Sequence, residues 1–307
     1  MPQSWGSYSS LINVNQLTED VRHAAQDLLG FSQLASPPTG KALGLNAGDT
    51  VQYTYFPRVS SSGGQLDENE EIPESSVTPI KGTYSVAEFG NSMKWTGKLE
   101  DLSRLSIEDD FMVALVEDLK RLENDAVYDQ AVLTDYVAVF NSATGNEFVT
   151  NATPTKANDT GLNLANLRFL RRKARAQLIP PFDGESYVVV TGVDDADSLC
   201  YDTDVTDLLR EDSGRSALNG EVGRVAGCRI VEDTHKIAKI GSTSFDQVIL
   251  FGADSIVNEV ALPWEIREEV KDFRRQVAVA YYSIQTWYKV LDQTLHSREH
   301  MIRASSV

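Results

Sequence analysis

Residues 106–135 read SIEDDFMVALVEDLKRLENDAVYDQAVLTD. The stretch holds no Gly or Pro, and Phe111, Leu115, Leu119, Leu122, Ala126 and Leu133 recur at the three-and-four spacing of a helix buried along one stripe. That spacing predicts one long helix. Ser106 followed by Asp109 has the form of a capping box, and Glu108, Asp109 and Asp110 sit where the positive end of a helix dipole favours acids. Glu117 stands one turn before Arg121, a favourable pairing on a helix surface. At about 1.5 Å per residue such a helix spans roughly 40 Å, so it must cross most of a domain. Burying five or six of its apolar side chains contributes on the order of 10 kcal/mol before entropy is counted. This anchors a fold and says nothing of function.

The whole chain of 307 residues suffices for one large or two modest domains, with the apolar and charged fractions of a soluble globular protein. It shows no apolar run of membrane-spanning length and no signal-peptide pattern in MPQSWGSYSS, so the expected place is the cytosol where it is made. Cys200 and Cys228 fit no metal spacing and read as small buried hydrophobes in a reducing compartment. A formal charge of -17 argues against a protein whose main task is to grip nucleic acid, although an acidic chain can still enclose it.

Upstream of the long helix, residues 1–49 are mostly small and polar. A short amphipathic patch lies around Leu17–Leu34 and a Pro-Pro-Thr-Gly break at 37–40, which suggests an extended arm with one helix. Thr50–Phe56 and Thr83–Trp95 are β-branched and aromatic, and they flank an acidic, polar tip, which predicts two long strands of a hairpin. Two strands alone are marginal in water, so the hairpin either folds back on its own domain or lies on another subunit.

Downstream, YVAVF at 136–140 reads as a short strand and 141–161 as a turn-rich boundary. Leu164, Leu167, Leu170, Ala174 and Leu178 line one face of a second helix, whose Arg168, Arg171, Arg172, Lys173 and Arg175 make it the most basic segment of the chain. A solvated face, a contact with acidic groups of another subunit and a contact with enclosed nucleic acid all fit it. Tyr187–Val190 reads as a buried strand, Asp194–Arg210 as helix, Asn219–Val231 as a glycine turn leading into a strand, and Gln247–Gly252 as a strand. Ala253–Val260 reads as a short helix, Arg275–Leu291 as two strands or a bent one, and Met301–Ala304 as a last strand.

No catalytic constellation emerges. The chain lacks GxGxxG, a Walker loop, GxSxG and HExxH. Gly220, Gly223 and Gly227 suit tight turns better than a phosphate cradle. His296 and His300 stand four apart without the intervening Glu of a zinc motif, and the acids from Asp67 to Glu74 do not match a calcium loop. No cofactor, metal or catalytic residue is expected.

The order of the elements is more telling. AGDTVQYTYFPRV, then LDENEEIPESSVTPIKGTYSVAEFGNSMKWTGKLEDLS, then a helix containing LKRLENDAVYDQAVLT resembles the major capsid proteins of tailed double-stranded DNA bacteriophages; PPFDGESYVVVT, NGEVGRVAGCRIVEDT and QVILFGADSI are similar to that family's axial strands and turns. Roughly residues 40 to 300 take part. One departure is Thr191-Gly192, where relatives commonly carry His-Pro.

The resemblance implies an α+β Johnson capsid fold. Residues 1–49 would be an N-terminal arm, 50–95 an extended loop, 96–160 and 263–307 a peripheral domain with the spine helix, and 161–262 an axial domain. It implies a structural protein, not an enzyme, that self-assembles into pentamers and hexamers of an icosahedral phage head enclosing DNA. Portal, scaffold and decoration proteins would be its partners in the virion, without a membrane, after assembly in the bacterial host cytoplasm. The extended loop would drape over a neighbouring subunit, with Arg58, Asp67, Glu68, Glu70, Glu71, Glu74 and Lys81 on the loop and Arg168, Arg171 and Arg172 as basic partners. Phe111, Leu115, Leu119, Leu122 and Ala126 would form the core of the spine helix. Some relatives cross-link Lys to Asn across subunits, for which Lys81 and Lys94 are placed. The rival readings are an encapsulin-like nanocompartment shell and a cytosolic enzyme whose site forms only in three dimensions.

Overall fold

A computed structural model of the chain describes residues 29–37, 48–57, 59, 64–66, 68, 71–72, 74–103, 106–141, 145–150, 162–202, 221–234 and 247–305. Its largest sheet has seven strands: β5 (Tyr136–Val139), β6 (Glu147–Thr150), β7 (Tyr187–Thr191), β8 (Glu221–Val225), β9 (Cys228–Glu232), β10 (Gln247–Phe251) and β13 (Met301–Ser305). Their spatial order is β6-β5-β13-β10-β7-β9-β8. The sheet is covered on both faces, which is why its strands β7 and β10 are apolar at almost every position and do not alternate. Tyr187, Val189, Val248, Leu250, Ile302 and Ala304 point to one core, against helix α3 (Leu164–Ala176). Val188, Val190, Ile249, Phe251 and Met301 point to the other.

That second core receives the C-terminal half of the long helix, α2 (Ile107–Val132), through Val127, Tyr128 and Ala131. The N-terminal half rests on a different cluster, formed by Trp95, Leu99, Val277, Val279 and Tyr281. The helix therefore ties two cores together. Leu115 is buried, while Phe111, Leu119, Leu122 and Ala126 are half-buried and pack against these clusters. Leu133, expected on the stripe, is exposed because the helix stops at Val132 and the chain turns away. At the helix start the Ser106 hydroxyl donates to the Asp109 carboxylate and does not accept a backbone N–H, so the two side chains bond to each other in place of the expected capping box.

A second sheet, ordered β1-β11-β12-β4, underlies the N-terminal half of α2. It contains β1 (Ala35–Ser36), β4 (Ala87–Thr96), β11 (Ile256–Lys271) and β12 (Gln276–Lys289), with the short helix α1 (Gly97–Leu102) following β4. The remaining pair, β2 (Thr50–Tyr55) and β3 (Ile80–Ser85), forms a two-stranded sheet. Helices α4 (Val193–Tyr201) and α5 (Gln293–His296) and a single 3-10 turn at Ser32–Leu34 complete the described elements.

Several expectations are corrected. The strand expected over Thr83–Trp95 is two: the chain breaks at Val86, and β4 leaves the hairpin to pair with β12 over its whole length. The short helix expected at Ala253–Val260 is instead the start of β11. Its acidic residues and Pro263 disguise the strand, and Pro263 is tolerated because Pro263 and Trp264 bulge opposite Ser283, where no ladder donor is needed. Arg275–Leu291 holds one continuous strand, paired on both sides. The expected boundary at 141–161 contains β6, which pairs with β5. Helix α4 ends at Tyr201, and the residues from 203 to 220 lie outside those described. Cys228 is buried but Cys200 is exposed, and neither forms a disulfide.

The sheets run across the positions 160/161 and 262/263 at which the expected domains meet. Strands β5, β6 and β13 join the sheet of the 161–262 segment, and β11 runs straight through residue 262. The end of the arm is described. Residues 1–28 lie outside the described set, yet Phe31 and Leu34 are buried in the second core and Ala35 pairs with Ile256. The last part of the arm is thus a piece of the body.

Candidate assembly interface

The hairpin β2–β3 runs in register from Thr50 opposite Ser85 to Tyr55 opposite Ile80. Its base is mounted on the body by rings. Tyr84 stacks on Tyr288 with centroids 4.1 Å apart and on Tyr53 at 5.4 Å, and Tyr55 meets His296 edge-on at 5.0 Å. The Tyr84 hydroxyl donates to the Lys289 carbonyl at 2.7 Å, and burial raises its pKa well above the ordinary tyrosine value. Gly82 makes the mount possible. A Cβ there would lie 2.0 Å from the Tyr53 ring, which covers the bare backbone of its cross-strand neighbour. Of the two alternatives left open for the hairpin, folding back on its own domain holds for its base, which leans on the end of β12.

His296 closes this mount. Its Nδ1 accepts from the Asp292 N–H at 3.0 Å, which leaves the proton on Nε2 to donate to the Tyr53 hydroxyl at 3.3 Å. Burial holds His296 below the ordinary 6.5, partly offset by Asp292, and burial lowers His300 likewise. Such a histidine binds its proton more tightly in the unfolded chain. Stability is then complete above a pH of about 6.5 and falls as pH drops below it, until the depressed folded value is passed. Protonation would also set a new Nδ1–H against the Asp292 N–H. The expected result is a denaturation midpoint that is flat around neutral pH and declines below about 6.5, with a shallower decline in His296→Gln. Identical slopes in the two proteins would show that this ring does not report on the fold.

Beyond Tyr55 and Ile80 the described residues of the hairpin tip belong to no strand. Phe56 and Ile72 are exposed, as are Glu68, Glu71, Glu74 and Lys81, while Arg58, Asp67 and Glu70 lie outside the described residues. The base is held and the tip is offered. Lys94 is exposed on β4, on the other sheet from Lys81.

The basic helix α3 begins with Asn163 capping the Asn166 N–H at 2.8 Å. Arg168 and Arg172 are exposed and line a shallow cleft with Asn146 and Phe169. Arg172 and Lys173 both sit over the Phe169 ring, at 5.4 Å. Arg171 is different. Its guanidinium lies across the β8–β9 turn at Gly227, in the space a side chain there would fill. Of the three arginines expected to reach a neighbour, this one is turned onto its own sheet. Leu178, expected on the buried face, is exposed just after the helix ends.

Nothing in the arrangement supports nucleophilic chemistry at the thiols: burial pushes the Cys228 thiol up to about 12 and raises Cys200 as well. The Thr191-Gly192 departure falls at the end of β7, with Thr191 buried and Gly192 preceding α4.

Two buried polar junctions escaped the reading of the residues. In the first, Asn124 of α2 accepts the N–H groups of Phe31 and Ser32 at 2.9 and 3.2 Å and donates to Asp233 at 3.0 Å, while Asp233 accepts the Gly30 N–H at 2.7 Å. This joins the arm to the helix. In the second, Glu299 accepts from the Asp135 and Tyr136 N–H groups, from the Thr134 hydroxyl and from Lys289, which also donates to the Leu133 carbonyl. This caps the far end of the helix. A third missed feature is the β11–β12 turn, where Asp272, Phe273 and Arg274 are all left-handed and Phe273 is fully exposed. Left-handed residues other than glycine cost roughly 1–2 kcal/mol each, so something must hold them.

No protein-family model matches the chain, and no curated protein matches it in sequence. Solved structures do match it in shape. The capsid of Ralstonia phage GP4 superposes with a TM-score of 0.70 at 15% identity, covering 95% of this chain and 94% of that one. The capsid of cyanophage Pam1 gives 0.66 at 16% identity, covering 95% and 96%. The head of Helicobacter pylori bacteriophage KHP40 gives 0.65 at 12%, covering 97% and 96%. Over nearly its whole length, and with little sequence in common, this chain has the α+β fold of tailed-phage capsid proteins.

Proposed function

We propose that the chain is the structural subunit of a tailed-phage head, associating with itself into pentamers and hexamers of a closed icosahedral shell around double-stranded DNA. The observation that carries this reading is the end-to-end likeness to proteins that form phage capsids and heads, with no large part of either chain left over. The hairpin adds physical support. A firmly mounted base with an exposed apolar and acidic tip is costly to keep in an isolated molecule and is useful against a neighbour. Arg168 and Arg172 are the basic groups available to such acids on an adjacent copy. Closed symmetry then turns weak contacts into a stable particle.

The subunit does no chemistry in this reading. Portal, scaffold and decoration proteins would be its other partners, and the virion its final place. Electron microscopy and sedimentation of the purified chain test it: closed shells are expected, with nuclease-protected duplex DNA in particles recovered from infected cells. A small discrete oligomer at every concentration would overturn it, and shells filled with protein cargo would favour a nanocompartment.

A further inference from the structure

We propose that the groove between helix α2 and strand β11 is a docking site for a cationic amphipathic helix of a second protein. The site is built from one subunit and does not depend on the shell reading. It arises because α2 covers only two of the three long strands beneath it. Val277 and Val279 of β12 stand opposite Trp95 and Met93 of β4, and the helix packs over all four. The Tyr281 hydroxyl and the Asn91 amide both donate to Asp118 of the helix, at 2.5 and 2.8 Å, which holds it over those two strands. Strand β11 is left outside. Its Ile266, Glu268 and Val270 stand opposite Tyr281, Val279 and Val277, so they share the face that carries the helix, yet all three are exposed. The near flank of α2 is apolar as well, with Met112, Val116 and Leu119 at helical spacing and Val116 exposed. With Trp264 and Ile266 these side chains line a cavity of about 180 Å³, room for one large apolar side chain. Helices pack roughly 8–10 Å apart and strands lie about 4.8 Å apart, so a helix laid beside α2 comes down over β11 and completes the layer.

Charge selects the partner. Asp109 and Glu123 continue the stripe of Met112 and Val116 at its two ends, and Glu123 is placed there by the Trp264 indole, which donates to it at 2.7 Å. Glu268 stands between Ile266 and Val270, and on this flank only Lys120 opposes these acids. The cations of β11 are on the reverse face, Arg267 over the Tyr282 ring at 4.0 Å and Lys271 paired with Glu269 at 2.8 Å. An apolar groove with an acidic rim fits a helix with one apolar face and a lysine- or arginine-rich margin. This chain supplies none. Its basic helix α3 has its apolar face buried in its own core, and its amphipathic patch at 17–28 holds Glu19, Asp20 and Asp27 against Arg22. At -17, a second copy is also repelled as a whole.

The test reads fluorescence anisotropy of a labelled Leu/Lys peptide of about five helical turns, with Leu at the three-and-four spacing, against the soluble subunit near physiological salt. The same peptide with Glu for Lys is the control. The Lys peptide is expected to bind at least about tenfold more tightly than the Glu peptide. The uncharged double change Val116→Ser with Ile266→Ser should weaken it at least about tenfold while the unfolding midpoint stays near wild type, because both positions are exposed; Glu71→Gln on the hairpin tip should leave binding unchanged. A benzophenone replacing one Leu should label Met112–Leu119 or Trp264–Ile266 by mass spectrometry. Equal binding by the double variant, equal binding of the Glu peptide, or labelling elsewhere would overturn the proposal. So would Val116→Cys, in a Cys200→Ser background, that a short bismaleimide links to another copy, since the groove would then be filled by this chain.

Discussion

Glu299→Ala is expected to destabilise the subunit by about 3–5 kcal/mol, because it strips a buried junction of its central acceptor. The Glu299 side chain is fully buried and its partner Lys289 nearly so, at 2.9 Å. Removing the carboxylate leaves the ammonium with the Leu133 carbonyl and the more distant, partly exposed Asp292 at 3.4 Å. It also leaves the Asp135 and Tyr136 N–H groups without their acceptor, where β5 begins. Each orphaned buried donor carries a desolvation penalty of roughly 1–3 kcal/mol. The loss should appear as a large drop in the denaturant midpoint of the soluble subunit. Glu299→Gln keeps an acceptor and should lose distinctly less. A Glu299→Ala subunit within about 1 kcal/mol of wild type would show that the end of the helix is held by its apolar contacts alone.

Apolar patterning made the long helix legible, because nothing in its interior competes with the helical period. It also exposed the central strands, since YVVV and QVIL are apolar at almost every position and only a sheet covered on both faces buries such runs. Strand β11 stayed hidden for the opposite reason. Its distal half reads EIREEVK and is exposed, so pairing with β12, and not burial of an alternating face, determines its state. The break between β3 and β4 was equally silent. A β-rich run carries no mark of where it changes sheets, and only the partners show it.

The candidate interface was legible by composition and not by geometry. The acidic tip and the basic helix stand out in the chain, but the inward turn of Arg171 depends on β8 and β9, far away in sequence. Asn124, Asp233, Lys289 and Glu299 look like ordinary surface residues until the fold brings them together. Asn124 carried the one local signal, a polar residue on a helix whose neighbours at Val127 and Tyr128 are buried. Phe273 carried the other, an aromatic residue between charged ones in KDFRR, which alternation would assign to the core and the turn places in water.

Excising Ser60–Pro79 is expected to leave a folded subunit and to lower the yield of closed particles by at least about a hundredfold, since every subunit contact in a shell loses the same element. The junction is favourable. Tyr55 and Ile80 are already cross-strand partners, so joining Val59 to Ile80 leaves Phe56, Pro57, Arg58 and Val59 as a four-residue hairpin loop, a common length. The rings of Tyr53, Tyr84, Tyr288 and His296, which mount the hairpin, are all retained. The midpoint of unfolding should therefore stay within about 1 kcal/mol of the full chain, which separates loss of assembly from loss of fold. Sedimentation and electron microscopy then give the answer. Particles closing at the usual yield without the tip would mean that the copies are held without it, and that the exposed Ile72 and the acids beside it serve something other than the neighbouring subunit.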